Sequence, residues 1–195
     1  MIGNKMDLNS FMNIVRNKKK IEFTEEYKTR VKKSRELVEK WVEQGRVMYG
    51  ITTGFGANST KTISKEEAGK LQRNIIITHS TSVGQPMSEE EVRATMLMIL
   101  QNAGTGYSGI RYETLERYKD FLNLNLIPYA PKEGSVGYLS PEAHIALAVM
   151  GEGMMIKDGH AVDSSEVLKE NNLNNFELSY KEGLILVSGT TSVTG

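Results

Sequence analysis

Residues 134–144 read GSVGYLSPEAH, and this stretch is the starting point for the fold. Ser140 is a preferred N-cap residue, Pro141 suits the first turn of a helix, and Glu142 would face the positive end of the helix dipole. The pattern predicts that a glycine-rich loop (134–137) leads directly into a helix. Because helix N-termini present backbone N–H groups to anionic or reactive groups, this loop is a candidate binding element.

The composition describes a chain with balanced charge and no thiols. Its 195 residues include 24 basic and 24 acidic ones, so net charge gives no reason to expect a nucleic acid or membrane partner. The absence of cysteine excludes disulfide chemistry, and the sequence shows neither a signal peptide nor a membrane-length apolar run. We therefore expect a cytoplasmic protein. Residues 1–195 are predicted to form a single domain, with residues 1–23 as a peripheral N-terminal segment.

Most of the chain is predicted to be helical. Three helix starts are marked by a hydroxyl residue followed by an acidic residue in the first turn: Thr24 before Glu25, Ser64 before Glu67, and Ser88 before Glu91. The first of these helices should run to Gln44, with Gly45 ending it. Further helices are predicted at 111–121, 141–156 and 163–169. Short strands are predicted at 47–51 and 184–187.

Two central stretches have contrasting interpretations. MLMIL (96–100) is apolar on all sides of a helix, which predicts that it is deeply buried or packed against another chain. GTGYSG (104–109) matches the GxGxxG pattern of dinucleotide-binding proteins, which requires a preceding strand and a helix opening directly on the last glycine. Because a helical pattern precedes it instead, we interpret it as a turn between helices and reject a nucleotide site.

The loop YGITTGFG (49–56) is a candidate functional segment. Its three glycines and adjacent threonines allow the backbone to pass close to a ligand or another chain. Tyr49 can serve as a general acid or base in such a loop. The alternative is that Tyr49 is an aromatic anchor that pins a surface loop, and the pattern alone does not separate the two interpretations.

The three histidines do not form a metal-binding pattern. None of the pairs has a helical metal-ligand spacing, and no cysteine is present to complete a site, so we predict no metal. His79 follows an apolar run and precedes a glycine-containing segment, which places it either at the edge of a pocket or in the core. His144 is expected to pack or cap, and His160 to be solvated.

Six stretches, taken in order, resemble the N-terminal part of the histidine and phenylalanine ammonia-lyases, the aromatic amino-acid lyase and aminomutase family. They are YGITTGFG (49–56), LQRNIIITHSTSVGQP (71–86), GYSGIR (106–111), PYAPKEGSVG (128–137), SPEAH (140–144) and KEGLILVSGT (181–190). The resemblance implies a mainly α fold, namely the N-terminal part of an ammonia-lyase-like helical fold with short strands and glycine-rich loops. The family's central helical bundle would lie outside this chain.

The resemblance also assigns roles to individual residues. Tyr49 resembles the catalytic lid tyrosine, which acts as general acid or base. Ser188 stands where the family has an asparagine that holds the prosthetic group and the substrate. The positions expected to bind substrate are His79, Gly54, Phe55, Gly56 and Ser188.

In this family the chemistry is carried by 4-methylideneimidazole-5-one (MIO), which forms from an internal Ala-Ser-Gly triplet between a Gly-Ser-Val-Gly and an Asp-Leu-Ala-Pro-Leu-Ala-His segment. The corresponding stretch here, which we call the former MIO loop, comprises Gly134, Ser135, Val136, Gly137 and Tyr138. Tyr138 stands at the aspartate position, and the three MIO-forming residues are absent. We therefore expect no cofactor in this chain, so that any MIO group would come from a partner chain.

Together these features predict a subunit of a split, heteromeric ammonia-lyase or aminomutase-like enzyme acting on an amino-acid-like substrate. A second ammonia-lyase-like chain would supply the C-terminal helical bundle, since family chains are more than twice as long. This chain would lend its lid tyrosine loop to a shared active site. Two alternatives stay open, an MIO-independent enzyme of the same fold and an inactive pseudo-lyase with a structural or regulatory role.

Overall fold

The fold is mainly α-helical, as predicted. A computed structural model describes residues 2–3, 6–56, 60–134, 139–188 and 191–194. The helices within these residues are α1 (Leu8–Val15), α2 (Glu25–Glu43), α3 (Lys65–His79), α4 (Glu89–Ala103), α5 (Tyr112–Leu124), α6 (Ser140–Met150), α7 (Ser164–Glu170), α8 (Glu182–Val187) and α9 (Thr191–Thr194). No helix in the described part of the chain is long and apolar enough to cross a membrane.

The predicted helix starts are confirmed. Thr24 caps α2 by accepting a hydrogen bond from a backbone N–H in its first turn, and Gln44 is the C-cap. Complete capping boxes open α3 and α4, in which a serine accepts from the backbone N–H three residues on and the glutamate there accepts in return. These contacts satisfy backbone donors that have no partner within the helix, which is why so local a pattern predicts them.

The strands were not predicted correctly. The short pair β1 (Val83–Pro86) and β3 (Pro131–Glu133) is antiparallel, and β2 (Ile127–Pro128), β4 (Met154–Lys157) and β5 (His160–Asp163) form an antiparallel sheet. Residues 47–51, predicted as a strand, instead form turns, and residues 184–187 belong to α8.

The helix predicted at 141–156 is shorter than expected. It ends at Met150, because Gly151 adopts a left-handed backbone with φ of +90° that caps α6. Ile156 belongs to β4, which pairs with β5 as a hairpin. His160 opens β5 and is exposed, in agreement with the prediction that it is solvated.

The centre of the core is α4. Its MLMIL segment is buried within this chain, with Met96, Leu97 and Leu100 at 0% exposure, although Met98 is only partly covered. GTGYSG (104–109) lies between the end of α4 and the start of α5, so it is the predicted turn between helices. Burial inside this chain therefore accounts for the apolar run.

A buried arginine ties the N-terminal helix to this core. Arg93 of α4 is 1% exposed and donates hydrogen bonds to the carbonyls of Ile14 at 2.7 Å, Val15 at 3.0 Å and Leu122 at 3.0 Å. Another donates to Asn125 Oδ1 at 2.8 Å. One side chain thereby bonds to carbonyls near the C-terminal ends of both α1 and α5, where intrahelical partners run out.

Replacing this arginine should destabilise the protein strongly. Arg93→Met fills similar space but removes every donor, so we expect the free energy of unfolding to fall by about 3 kcal/mol or more. Urea unfolding followed by far-UV circular dichroism measures this change. The control is Arg73→Met, which removes an exposed ion pair with Glu152 and should change stability little. Equal effects of the two substitutions would contradict the account.

Candidate active site

The loop that carries Tyr49 is held by its own threonines. Thr52 Oγ1 accepts the backbone N–H of Met48 at 2.9 Å and donates to the Arg46 carbonyl. The side chain of Thr53 is buried and accepts the N–H of Gly50 at 3.4 Å. The two adjacent threonines therefore stabilise the tight turns of the loop.

Within this loop the two aromatic residues have different environments. Phe55 is partly buried and packs against the hydrophobic core, whereas the Tyr49 side chain is 58% exposed. Their rings meet edge to face, with centroids 6.1 Å apart and an interplanar angle of 86°. The anchoring role thus falls to Phe55, and Tyr49 is presented to the surface, where its hydroxyl can reach a ligand.

The loop rests on α8. A Cβ atom placed on Gly50 would lie 2.8 Å from Leu184 of α8 and 2.8 Å from Phe55, so the backbone of the loop passes very close to that helix. Ser188, a predicted substrate-binding residue, is the exposed C-cap of α8. The position of α8 therefore determines the position of the loop and of Ser188 together.

A buried carboxylate fixes α8. Glu182, its first residue, is 0% exposed and forms an ion pair with Arg111 at 2.7 Å. It also accepts from the Thr114 hydroxyl at 2.6 Å and from the Ser179 N–H at 2.6 Å. The next N–H along α8 donates to Gln72 Oε1 of α3 at 2.9 Å. Every oxygen of the carboxylate has a donor, which is the condition for burying it.

Helix α3 packs against the start of α8 and the residues before it. A Cβ atom on Gly69 of α3 would lie 3.3 Å from the carbonyl oxygen of Leu178, and Gln72, one turn further, accepts the N–H of Gly183. His79 is the last residue of α3, and Ser188 is the C-cap of α8.

The ring of His79 is oriented by its own helix. Nδ1 lies 2.8 Å from the carbonyl oxygen of Ile75, an acceptor, so this nitrogen carries the hydrogen. The side chain is half-buried. With Nδ1 occupied, Nε2 is the nitrogen available to a ligand, and His79 lies at the edge of the core rather than inside it.

The start of α6 lies against the segment that follows His79. The N-cap position is Leu139 rather than Ser140, which corrects the prediction of a serine cap. Ser140 is the first helical residue, and its buried Oγ accepts the N–H groups of Thr81 at 3.1 Å and Ser82 at 2.8 Å. Ser140 does not cap its own helix, because its side chain faces the segment 81–82 and accepts hydrogen bonds from that segment instead.

Of the former MIO loop, only Gly134 is described, and Ser135, Val136, Gly137 and Tyr138 lie outside the described residues. Gly134 lies beside the backbone of residues 81–83. The stretch contains no Ala-Ser-Gly, and the hydroxyl of Ser140 at its far side is already bonded to two backbone N–H groups. These residues therefore do not fit an MIO group, and no reaction step is assigned to one in this chain.

Glu142 and Glu182, two polar residues important to this region, were missed as buried groups by sequence reasoning. Both are 0% exposed, although acidic residues at helix starts are usually solvated. The available signal was their place in otherwise apolar stretches, SPEAHIALAVM and KEGLILV. Among the described residues, no group of three or more histidine and acidic side chains is arranged to hold a metal ion.

The sequence matches the family model for aromatic amino acid lyases over residues 6–195, and the chain belongs to this family. It is 40% identical over 191 residues to the histidine ammonia-lyase of Caldanaerobacter subterraneus subsp. tengcongensis, covering 96% of this chain and 38% of that protein. It is 38% identical over 196 residues to the histidine ammonia-lyase of Streptococcus sanguinis, covering 99% and 38%.

Solved structures of aminomutases are similar to this chain in fold. The tyrosine aminomutase from Streptomyces globisporus superposes with a TM-score of 0.92 at 33% identity, covering 97% of this chain and 36% of that one. The phenylalanine aminomutase of Pantoea agglomerans superposes with a TM-score of 0.93 at 30% identity, covering 98% and 38%. The predicted family and helical fold are confirmed, and the chain spans well under half the length of these relatives.

The packing of the loop on α8 can be tested with two glycines. Gly50 and Gly56 both have positive φ, +67° and +54°, but only a Cβ on Gly50 would contact other residues within 4 Å. Both alanine variants incur left-handed strain of about 1–2 kcal/mol, and Gly50→Ala adds an overpacking cost of about 1–3 kcal/mol. We expect the lower urea midpoint for Gly50→Ala, and equal midpoints would show that the loop does not rest on α8.

The pH dependence of stability should contain a contribution from His144. Burial lowers the pKa of His144 below its ordinary value, against a smaller opposing effect of its hydrogen bond with the Ser82 backbone. The unfolded state therefore takes up the proton first as the pH falls. The stabilisation is complete above a pH of about 6.5 and is lost as the pH falls toward the lower folded-state pKa.

We expect the urea midpoint of the wild-type protein to be lower at a pH of about 5.5 than at a pH of about 7.5. His144→Gln should reduce this fall, whereas His160→Gln, at an exposed position, should leave it unchanged. An identical fall in wild type and His144→Gln would contradict the assignment.

Proposed function

We propose that this chain is a subunit of a split, heteromeric ammonia-lyase or aminomutase-like enzyme that acts on an amino-acid-like substrate. Its contribution is the lid loop, with Tyr49 as the group that transfers a proton to or from the substrate. His79 contacts the substrate through Nε2, and Ser188 is a further substrate-binding position. The loop residues Gly54, Phe55 and Gly56 hold the shape of the lid.

The observation that carries this proposal is the exposure of Tyr49 on an otherwise well-anchored loop. Its ring is 58% exposed, while the neighbouring threonines and Phe55 hold the backbone. A general acid or base must lie within hydrogen-bond distance of its substrate, and a well-held loop can place the Tyr49 hydroxyl with that accuracy. Membership of the aromatic amino acid lyase family supports this role.

The involvement of a second chain is supported by what the sequence lacks. The 195 residues contain no Ala-Ser-Gly triplet, although they match the family model almost throughout. In our proposal this chain carries no cofactor, and any MIO group belongs to a second ammonia-lyase-like chain. That chain also supplies the C-terminal helical bundle of the family. Our chain covers about 38% of the length of its histidine ammonia-lyase relatives.

The same missing triplet favours two alternative functions. In the first, the complex is an enzyme without MIO, and Tyr49 is still its acid–base group. In the second, the chain is an inactive pseudo-lyase with a structural or regulatory role. Ser188, at the position where the resemblance places an asparagine, agrees with either, because its hydroxyl is shorter and offers fewer hydrogen bonds than an amide.

The test is Tyr49→Phe in the complex isolated from its own source, assayed with histidine, phenylalanine and tyrosine for ammonia release and for isomerisation. Loss of the phenol oxygen should lower kcat by about 10²–10⁴-fold with little change in KM, as expected for a general acid or base. Tyr129→Phe is the matched control, since Tyr129 follows β2, its N–H donates to the Met154 carbonyl of β4, and no role in the site is assigned to it.

Unchanged activity of Tyr49→Phe would refute the proposed role of the lid. Turnover by a complex in which no chain contains Ala-Ser-Gly would favour the MIO-independent enzyme. Binding of an amino acid without any turnover would favour the pseudo-lyase.

A further inference from the structure

The first turn of α6 carries two buried polar side chains, Ser140 and Glu142, which reach different parts of the candidate site. The Ser140 hydroxyl accepts from the segment 81–82, which follows His79 with one residue between them. His144, one helical turn further, meets the same segment through a backbone hydrogen bond. Residues four apart share a helix face, so this face of α6 contacts the end of the chain segment that carries His79.

The side chain of Glu142 extends from a different face of α6 than those of Ser140 and His144. Its carboxylate is fully buried, and Oε1 accepts the N–H of Ser192 at 2.9 Å and the hydroxyl of Thr191 at 3.2 Å. These two residues open α9 and closely follow Ser188 in the chain. Positions two apart on a helix differ by about 200° around its axis, which explains why Ser140 and Glu142 serve different segments.

The burial of Glu142 is not fully compensated. Its other oxygen, Oε2, has no hydrogen-bond partner in the part of the chain that the structure describes, and neither has the buried hydroxyl of Tyr118. Burial, and then the nearby Glu142, raise the pKa of Tyr118. An incompletely satisfied carboxylate in the core is unfavourable for stability. A role in positioning explains its presence better than a contribution to stability does.

We propose that the first turn of α6 is the positioning element of the active site. Glu142 fixes the segment 191–192, and through it Ser188, while Ser140 fixes the segment 81–82, and through it His79. Neither Ser140 nor Glu142 touches the substrate. The inference rests on the proposed function for its catalytic consequence, but the ordering of both segments by one helical turn stands independently of it.

The claim that the first turn of α6 orders the segments 81–82 and 191–192 is tested by hydrogen–deuterium exchange on the intact complex. Glu142→Leu keeps the volume but removes the acceptor, so the amides of residues 191–192 should exchange roughly tenfold faster or more. Glu142→Gln keeps an acceptor oxygen and should restore slow exchange. Unchanged exchange in Glu142→Leu would overturn the proposal.

A matched control separates positioning from general stability. Ser140→Ala should speed exchange at 81–82. Ser164→Ala removes an equivalent contact near the other end of α6: Ser164 is the first residue of α7, is 0% exposed, and accepts the N–H of Gly153 at 3.0 Å. It should speed exchange at Gly153 only.

The catalytic half is tested with the same variants. We expect kcat to fall at least tenfold in Glu142→Leu and Ser140→Ala, with a smaller change in KM, and to stay near wild type in Glu142→Gln and Ser164→Ala. Faster exchange with unchanged kcat would overturn the catalytic role of the turn. A wild-type complex that shows no turnover would refute the proposed function, while the exchange data would still decide whether the turn orders both segments.

Discussion

The architecture around the candidate site depends on the burial of one carboxylate, that of Glu182. A buried carboxylate is costly for stability unless its oxygens are satisfied, and here an arginine, a hydroxyl and two backbone N–H groups converge on it. This requirement sets the position of the short helix α8 against α5 and α3. The lid loop packs on α8 through Gly50, and Ser188 is the C-cap of α8. The positions of the loop and of Ser188 therefore both depend on the buried carboxylate of Glu182.

The rest of the site is organised in the same way. Ser140 and Glu142 are buried polar groups that bond to backbone N–H groups of chain segments beside the candidate ligand-contacting residues, rather than to a ligand. Tyr49 is the contrasting case, an exposed side chain on a loop whose backbone is well held. An exposed phenol on a well-held loop is accessible from the solvent side, which is the arrangement that the proposed contribution of Tyr49 to a shared site requires.

Local chemistry explains which features the sequence predicted. Capping boxes are satisfied within four residues, so they identified the starts of α3 and α4 correctly. Strands need distant partners, and short ones such as β1 therefore escaped detection. The apolar run at 184–187 was mistaken for a strand because burial on several sides removes helical periodicity from so short a segment. Tyr49 and His79 were predicted as site residues from motifs and stay predictions, whereas the cross-segment bonds of Glu142 required the three-dimensional structure.

The central claim is that this chain completes its site together with a second lyase-type chain. Native mass spectrometry of the protein, purified gently from its own source, tests this claim most directly. We expect a hetero-oligomer that contains this chain and a second, helix-rich polypeptide of the same family, whose sequence would show at once whether an Ala-Ser-Gly triplet is present. A lone chain or a homo-oligomer would refute the proposed shared site.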